Sequence, residues 1–173
     1  VGPELFPYLR GIFAAVFYHP LTKKLVMVRD QLGIKPLYYS VNEYREISFA
    51  STPKSLFKVM GIDDHRLSLN KRTEVAFKLF GSCPLESSPV DNQVALSPGS
   101  FIVFDENNRS STHEYFNIKQ FWLANAGGSA QPSKEALRMS LRQAVLRNMS
   151  GDAQGGIFTS SGFDSTLLVS QIT

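Results

Sequence analysis

Apolar positions in the first fifty residues come in short runs and not at helical spacing. Residues 10–18 read Arg-Gly-Ile-Phe-Ala-Ala-Val-Phe-Tyr, His19-Pro20-Leu21-Thr22 interrupts them, and residues 24–29 resume the run. Strand-forming stretches so nearly continuous predict a hairpin buried on both faces. A Gly-Ile-Lys-Pro turn at 33–36 leads into a third strand at 37–40, and polar residues 42–46 turn into a fourth at 47–50. Together these predict one sheet layer.

The period changes at Thr52-Pro53, where a hydroxyl cap precedes a proline at the first helical position. The helix that follows carries Leu56, Phe57 and Met60 and ends at Gly61. A second helix is predicted from about Asn70 to Phe80, with Val75, Leu79 and Phe80 on its buried side. Residues 81–98, rich in Pro, Ser and polar side chains, predict a long loop. Residues 101–104, a turn at 105–109 and residues 112–116 predict another hairpin. Asn125-Ala126-Gly127-Gly128-Ser129-Ala130-Gln131-Pro132 has the composition of a flexible linker. Ser133 can then cap a helix over 134–149 that aligns Leu137, Leu141, Ala144, Val145 and Met149 and ends at Gly151. The last segment reads as a strand at 156–159, a small-residue loop, and a helix from Asp164 onward. No internal repeat or low-complexity tract interrupts this order.

Composition adds bounds. The 173 residues are 43% apolar and 19% charged, a soluble globular balance that fits one domain or pieces of two. The net charge of +3 is small and spread along the chain, and Lys23-Lys24 and Lys71-Arg72 lack interleaved aromatics, so no nucleic-acid partner is expected. No apolar run approaches the roughly 18 residues of a membrane span, and none is expected. A single cysteine, Cys83, excludes an internal disulfide framework and suits a reducing, cytoplasmic setting. It reads as a structural or incidental thiol. His19, His65 and His113 have no paired metal-ligand spacing. The 13 phenylalanines read mostly as core, and Arg29-Asp30 as a structural ion pair at a strand end. The chain begins Val1-Gly2-Pro3-Glu4 and stops inside an apolar run at Ile172-Thr173, so both ends read as cut.

Residues 156–173 carry the most chemistry. Small residues between a buried strand and a helix start let backbone N–H groups approach an anion, and the helix dipole favours negative charge there. Ser160, Ser161 and Ser165 add hydroxyl donors, so a phosphate or pyrophosphate suits the loop. Asp164 could hold a magnesium ion bridging to that anion. The residues alone leave open a plain capped helix start whose serines bond the backbone.

Four motifs in order narrow the reading. Ser160-Ser161-Gly162-Phe163-Asp164-Ser165 resembles the Ser-Gly-Gly-x-Asp-Ser pyrophosphate loop of ATP pyrophosphatases. Arg29-Asp30-Gln31-Leu32-Gly33-Ile34-Lys35-Pro36-Leu37 resembles the Arg-Asp-x-x-Gly-x-x-Pro-Leu segment of class II glutaminase domains. Phe49-Ala50-Ser51 is similar to the following strand of that domain, and Leu96-Ser97-Pro98-Gly99 to its late Leu-Pro-Pro-Gly turn. The ordered set resembles the glutamine-dependent asparagine synthetase family along nearly the whole chain.

That resemblance implies a mixed α+β and α/β fragment. Residues 1–118 would be the later half of an Ntn-hydrolase-type αββα sandwich, 119–132 a linker, and 133–173 the start of a Rossmann-like parallel synthetase domain. It implies an enzyme in which an N-terminal cysteine releases ammonia from glutamine, while ATP and Mg2+ adenylate a carboxylate, typically aspartate, for amidation. Ser160, Ser161, Gly162, Phe163, Asp164 and Ser165 would line the pyrophosphate, Asp164 would bind the metal, and the Thr159 backbone would lie near the nucleoside. The N-terminal nucleophile has no counterpart here, so no catalytic residue is expected in this chain and the fragment should not hydrolyse glutamine. The partners implied are glutamine, aspartate or another carboxylate, and ATP, with a homodimer possible at full length. Two alternatives remain: a related amidotransferase or β-lactam-synthetase-like enzyme acting on another carboxylate, and a degenerate, non-catalytic member. Ser161 stands where the family has glycine, and would strain the loop if that position needed positive φ. Thr52 stands where the family often has Glu. As a fragment, the chain should expose sheet edges and apolar surface and be poorly soluble on its own.

Overall fold

The single layer predicted for the first four strands is two sheets. The computed structural model describes residues 2–62, 68–84, 87–126, 131–149, 151 and 155–172. Two compact units divide the chain, Val1–Leu123 and Ala124–Thr173. In the first, β1 (Ala14–His19) and β2 (Lys24–Arg29) form the predicted hairpin, with Val16 opposite Met27. β3 (Tyr38–Val41) and β4 (Ile47–Ala50) form a second hairpin. It does not pair with the first. Later strands complete both sheets: β6 (Ser100–Phe104) and β7 (Ser110–Glu114) extend the first to the order β1-β2-β6-β7, and β5 (Val94–Ala95) extends the second to β4-β3-β5. All pairings are antiparallel.

The core is built by both sheets. Met27 from β2 and Ile102 and Phe104 from β6 pack with Leu37 and Leu96, flanked by Tyr39 and Ile47 of the second sheet. Strand alternation selects this face, since Ser100, Ile102 and Phe104 are buried while Phe101 and Val103 are half-buried. The outer face of β1 is less covered than its continuous apolar run predicts. A 3-10 helix, Pro3–Tyr8, lays Phe6 across it against Phe17 and Phe101, yet Phe17 remains 49% exposed. Nor are the phenylalanines mostly core: Phe6, Phe57 and Phe104 are buried, whereas seven are exposed, Phe158 fully.

Helix α1 (Pro53–Met60) follows its sequence signals. Thr52 Oγ1 accepts from Ser55 N at 3.1 Å, Pro53 stands first, and Gly61 ends it at φ 66°. Leu56 and Phe57 are buried where α1 packs on β3 and β4. Helix α2 (Lys71–Phe80) is capped by Asn70, whose Oδ1 accepts from Thr73 N at 3.1 Å. Its buried residue is Thr73, bonded through Oγ1 to Ser88 O at 3.0 Å. Val75, Leu79 and Phe80, predicted inside, are 55%, 72% and 78% exposed. Helical spacing identifies an apolar face; it cannot supply the surface that covers it. The 81–98 loop contains β5 and isolated bridges of Leu69 with Val90 and Ser87 with Val94.

Helix α3 (Ile118–Asn125) occupies part of the predicted linker, started by Asn117 Oδ1 accepting from Gln120 N at 3.0 Å. The glycine-rich part of that linker, 127–130, lies outside the described residues, as does His65. In the second unit, α4 (Lys134–Met149) begins as predicted, with Ser133 Oγ accepting from Ala136 N at 3.1 Å. Val145 is buried and Leu141 and Met149 are half-buried, while Leu137 is 62% exposed. The strand predicted at 156–159 is not formed. Among the described residues this unit holds no strand to pair with it, and an extended segment without a ladder partner is no strand. Helix α5 (Phe163–Val169) follows the loop. No helix among the described residues is long and apolar enough to cross a membrane.

Candidate functional site

Two sequence motifs of the first unit converge at one junction. Arg29, at the end of β2, and Asp30 after it are 7% and 2% exposed. They do not form the predicted ion pair. Instead the Arg29 guanidinium donates to three carbonyls: Nη1 to Leu96 at 2.6 Å, Nη2 to Gly33 at 2.7 Å and Nε to Lys35 at 2.8 Å. The Asp30 carboxylate accepts from the backbone N–H groups of Ile34 and Lys35, each at 2.9 Å, and of Leu32 at 3.2 Å. Each buried charge is therefore satisfied by main chain, which burial requires of an ion without a contacting counterion. Burial pulls the guanidinium pKa below its ordinary value, while the negative charge of Asp30 and the Tyr38 side chain push it back.

The same junction ties in the late turn. Gly99 N donates to Asp30 O at 2.9 Å, and the Tyr115 hydroxyl donates to Arg29 O at 2.7 Å. Gly33 and Gly99 have φ of 66° and 61°. A Cβ at Gly33 would stand 2.7 Å from Pro98 Cγ, and one at Gly99 would overlap the Phe116 carbonyl oxygen. Tyr38, just past the Arg-Asp segment, pairs with Ala50 of the Phe-Ala-Ser segment across β3 and β4. The Arg-Asp and Leu-Ser-Pro-Gly segments thus serve one buried scaffold. The Arg29 and Asp30 side chains organise backbone and are buried away from solvent.

The 159–165 segment of the second unit is different: Thr159, Ser160, Ser161, Gly162, Phe163 and Asp164 are exposed and Ser165 is half-buried. Ser160 and Ser165 meet with their hydroxyls 3.0 Å apart, and Ser165 Oγ accepts from Ser160 N at 3.1 Å. Gly162 N donates to Ser160 Oγ at 3.2 Å, and Thr166 Oγ1 donates to Gly162 O at 2.9 Å. A Cβ at Gly162 would stand 3.1 Å from Ser160 Oγ and 3.9 Å from Ser165 Oγ, so a side chain there would crowd the Ser160 hydroxyl. Ser161 is not among the residues with positive φ, so its side chain meets no left-handed strain. The strain argument against this loop, and with it the support for a degenerate reading, falls away. Asp164 sits in the first turn of α5, and its carboxylate bonds to no described residue. Among the described residues no group of three acidic, His or Cys side chains could by itself hold a metal ion.

Other candidates stay apart. Cys83 is exposed beside α2. His19 Nδ1 accepts from Thr22 N at 3.2 Å, which fixes a turn, and the His113 ring stacks on Phe101 with centroids 4.9 Å apart. Sequence reasoning missed the Tyr115 hydroxyl as a member of the junction; nothing in its local pattern signals a partner 86 residues away.

Comparison with known proteins covers both units. Residues 1–116 match the family model described as a glutamine amidotransferase domain. The amidase chry2 of Gibberella zeae is 25% identical over 174 aligned positions, covering 99% of this chain and 25% of that protein. The glutamine-hydrolysing asparagine synthetase 1 of Bacillus subtilis is 29% identical over 170, covering 94% and 24%. The amidase chyE of Penicillium rubens is 24% identical over 173, covering 99% and 24%. The chain spans about a quarter of the length of these relatives.

Proposed function

Because the chain belongs to the glutamine amidotransferase domain family, we propose that it is part of a glutamine-hydrolysing asparagine synthetase, holding scaffold for one reaction and nucleotide contacts for the other. In this reading residues 1–118 are the later part of an Ntn-type glutaminase sandwich, and residues 133–173 begin a Rossmann-like ATP-binding domain. The observation that carries it is order: amidotransferase-family residues at 1–116 precede an exposed small-residue loop where Gly162 leaves the Ser160 hydroxyl uncrowded. The donor set suits a pyrophosphate. The N–H groups of Ser160 and Gly162 and the hydroxyls of Ser160 and Ser165 now satisfy one another, and phosphate oxygens can replace those internal acceptors. Asp164, unpartnered beside them, is the residue to hold Mg2+ through a carboxylate oxygen. The nucleotide, when bound, supplies the adenylyl group that activates the acceptor carboxylate for attack by glutamine-derived ammonia.

The junction around Arg29 and Asp30 supports this function indirectly, by fixing the two sheets of the glutaminase unit. Activation of a different carboxylate is a second reading, open because two relatives are named amidases and not asparagine synthetases. One assay separates the outcomes: carboxylate-dependent exchange of pyrophosphate into ATP by the natural protein that carries this chain. Aspartate should support exchange, and Asp164→Asn should lower it by at least about tenfold, since even groups that only orient metal ligands cost about 10–100-fold when lost, without changing glutamine hydrolysis. Exchange with another carboxylate but not aspartate would select the second reading. No exchange with any carboxylate would refute both.

A further inference from the structure

Between the β3–β4 hairpin and the C-terminal turn of α1 lies a partly enclosed cavity of about 280 Å³, remote in sequence from the 160–165 loop and separate from the Arg29 junction. One wall is polar, formed by Ser40, Asn42, Glu46 and Ser48. The other is apolar, formed by Val59, Met60 and Ile62. Strand alternation creates the contrast. Tyr39 and Ile47 pack toward the core, so the cross-strand pair Ser40 and Ser48 faces the opposite side, toward α1.

Ser40 is 3% exposed, yet its hydroxyl makes no hydrogen bond to any described residue. The sole sealed and unpartnered side-chain polar atom among the described residues is Gln171 Oε1, so the Ser40 hydroxyl must open on the cavity. A buried hydroxyl is seldom left without a partner. Glu46 is held in place: its N–H donates to Asn42 Oδ1 at 2.9 Å, and its Oε2 accepts from Asn42 Nδ2 at 2.6 Å. Its other carboxylate oxygen has no partner among the described residues, and no described cation pairs with it. Neighbouring Arg45 is engaged elsewhere, donating to Asn107 O at 3.3 Å. The last turn of α1, the negative end of its dipole, adds to the same potential. Lys58 of that turn does not line the cavity.

The geometry points to a binding site for a small aliphatic amine that also carries a hydroxyl or carbonyl group. Its ammonium would meet Glu46, its polar group Ser40 and Ser48, and its methylenes Val59, Met60 and Ile62. The volume stands near the lower end of ligand pockets, about 300 Å³, so a short chain fits and a nucleotide does not. The preorganised Asn42–Glu46 pair reduces the ordering penalty of binding.

Titration of the intact chain with 4-amino-1-butanol, followed by amide NMR, tests the proposal against 1,4-butanediol, which is uncharged and of similar size. The aminoalcohol should shift the Ser40, Glu46 and Ser48 resonances saturably, with Kd on the order of 1 mM. The diol should bind about tenfold more weakly, the difference expected between a charge-assisted and a neutral hydrogen bond. Glu46→Gln, at an exposed position that should fold normally, should bring the aminoalcohol down to the diol's affinity and leave the diol unchanged. Equal binding of the two probes, an unchanged Glu46→Gln titration, or shifts that never saturate at these residues would each overturn it. ATP–pyrophosphate exchange reads the other loop, so the two proposals fail independently.

Discussion

Replacing Asp30 should be the most damaging single polar substitution in the first unit. Its carboxylate is 2% exposed and accepts three backbone N–H bonds, from Leu32, Ile34 and Lys35, that shape the turn between β2 and β3. A hydrogen bond to a charged group contributes about 1.5–3 kcal/mol, and a simple sum would overshoot because the donors are only partly buried and regain water. A net loss of about 3–5 kcal/mol is expected for Asp30→Ala. Asp30→Asn tests the mechanism more sharply. An amide oxygen can still accept from Leu32 and Ile34, but its NH₂ then faces the Lys35 N–H, two donors opposed. That variant should lose about 2–3 kcal/mol. Backbone bonds to the Asp30 carbonyl, from Gly33 at 3.0 Å and Gly99 at 2.9 Å, are untouched by either change. Urea unfolding followed by far-UV circular dichroism should rank wild type above Asn above Ala at constant m-value. At about 2–4 °C per kcal/mol for a chain of this size, Asp30→Ala should lower Tm by roughly 10 °C. A loss below about 1 kcal/mol for the alanine variant, or an asparagine variant as damaged as alanine, would refute the reasoning.

Tyr115 gives a pH-dependent prediction. Burial, and secondly the negative charge of Asp30, push its pKa up to about 12, above the value of about 10 in an unfolded chain. The folded state thus holds the proton more tightly, and the stability this provides is complete below about pH 10 and lost as pH rises to about 12. Tyr115→Phe should flatten that alkaline fall in Tm and cost about 1 kcal/mol at neutral pH through the lost bond to Arg29 O; parallel Tm curves for the two proteins would count against it. Glycines with similar backbone angles should respond very differently to alanine. At Gly61 nothing lies within 4 Å of an added Cβ, so the left-handed φ alone acts, at about 1–2 kcal/mol. At Gly99 the Cβ also overlaps the Phe116 carbonyl, and denaturant midpoints should show a clearly larger loss; equal losses would mean that the close approach is not real.

Local chemistry was legible without the fold. The Thr52-Pro53 start and Gly61 end of α1 and the Ser133 cap of α4 depend on residues within one turn, so sequence specifies them. The β1–β2, β3–β4 and β6–β7 hairpins are equally local. Motif order along the chain likewise reached the family before any geometry, because close backbone approaches such as those at Gly33 and Gly99 demand particular residues at particular places.

Tertiary structure decided what lies beyond a hairpin or a turn. That β6 adds to β2 and β5 to β3, splitting four consecutive strands between two sheets, depends on pairings some 55 to 80 residues apart, which no periodicity encodes. Burial was undecided for the same reason: α2 has an apolar stripe, but exposure depends on which surface meets it, and Thr73 rather than Val75 or Leu79 is inside. Arg29 and Asp30 read in sequence as an ion pair only because they are adjacent and oppositely charged; in space each turns to main-chain groups. At 156–159 the apolar run states a preference for extended backbone, but a strand exists only with a partner to complete its hydrogen bonds. Sequence determined the family and the local caps and turns, whose interactions span a few residues. Sheet order, burial and the roles of the buried charges required the fold, because their interactions join residues far apart in the chain.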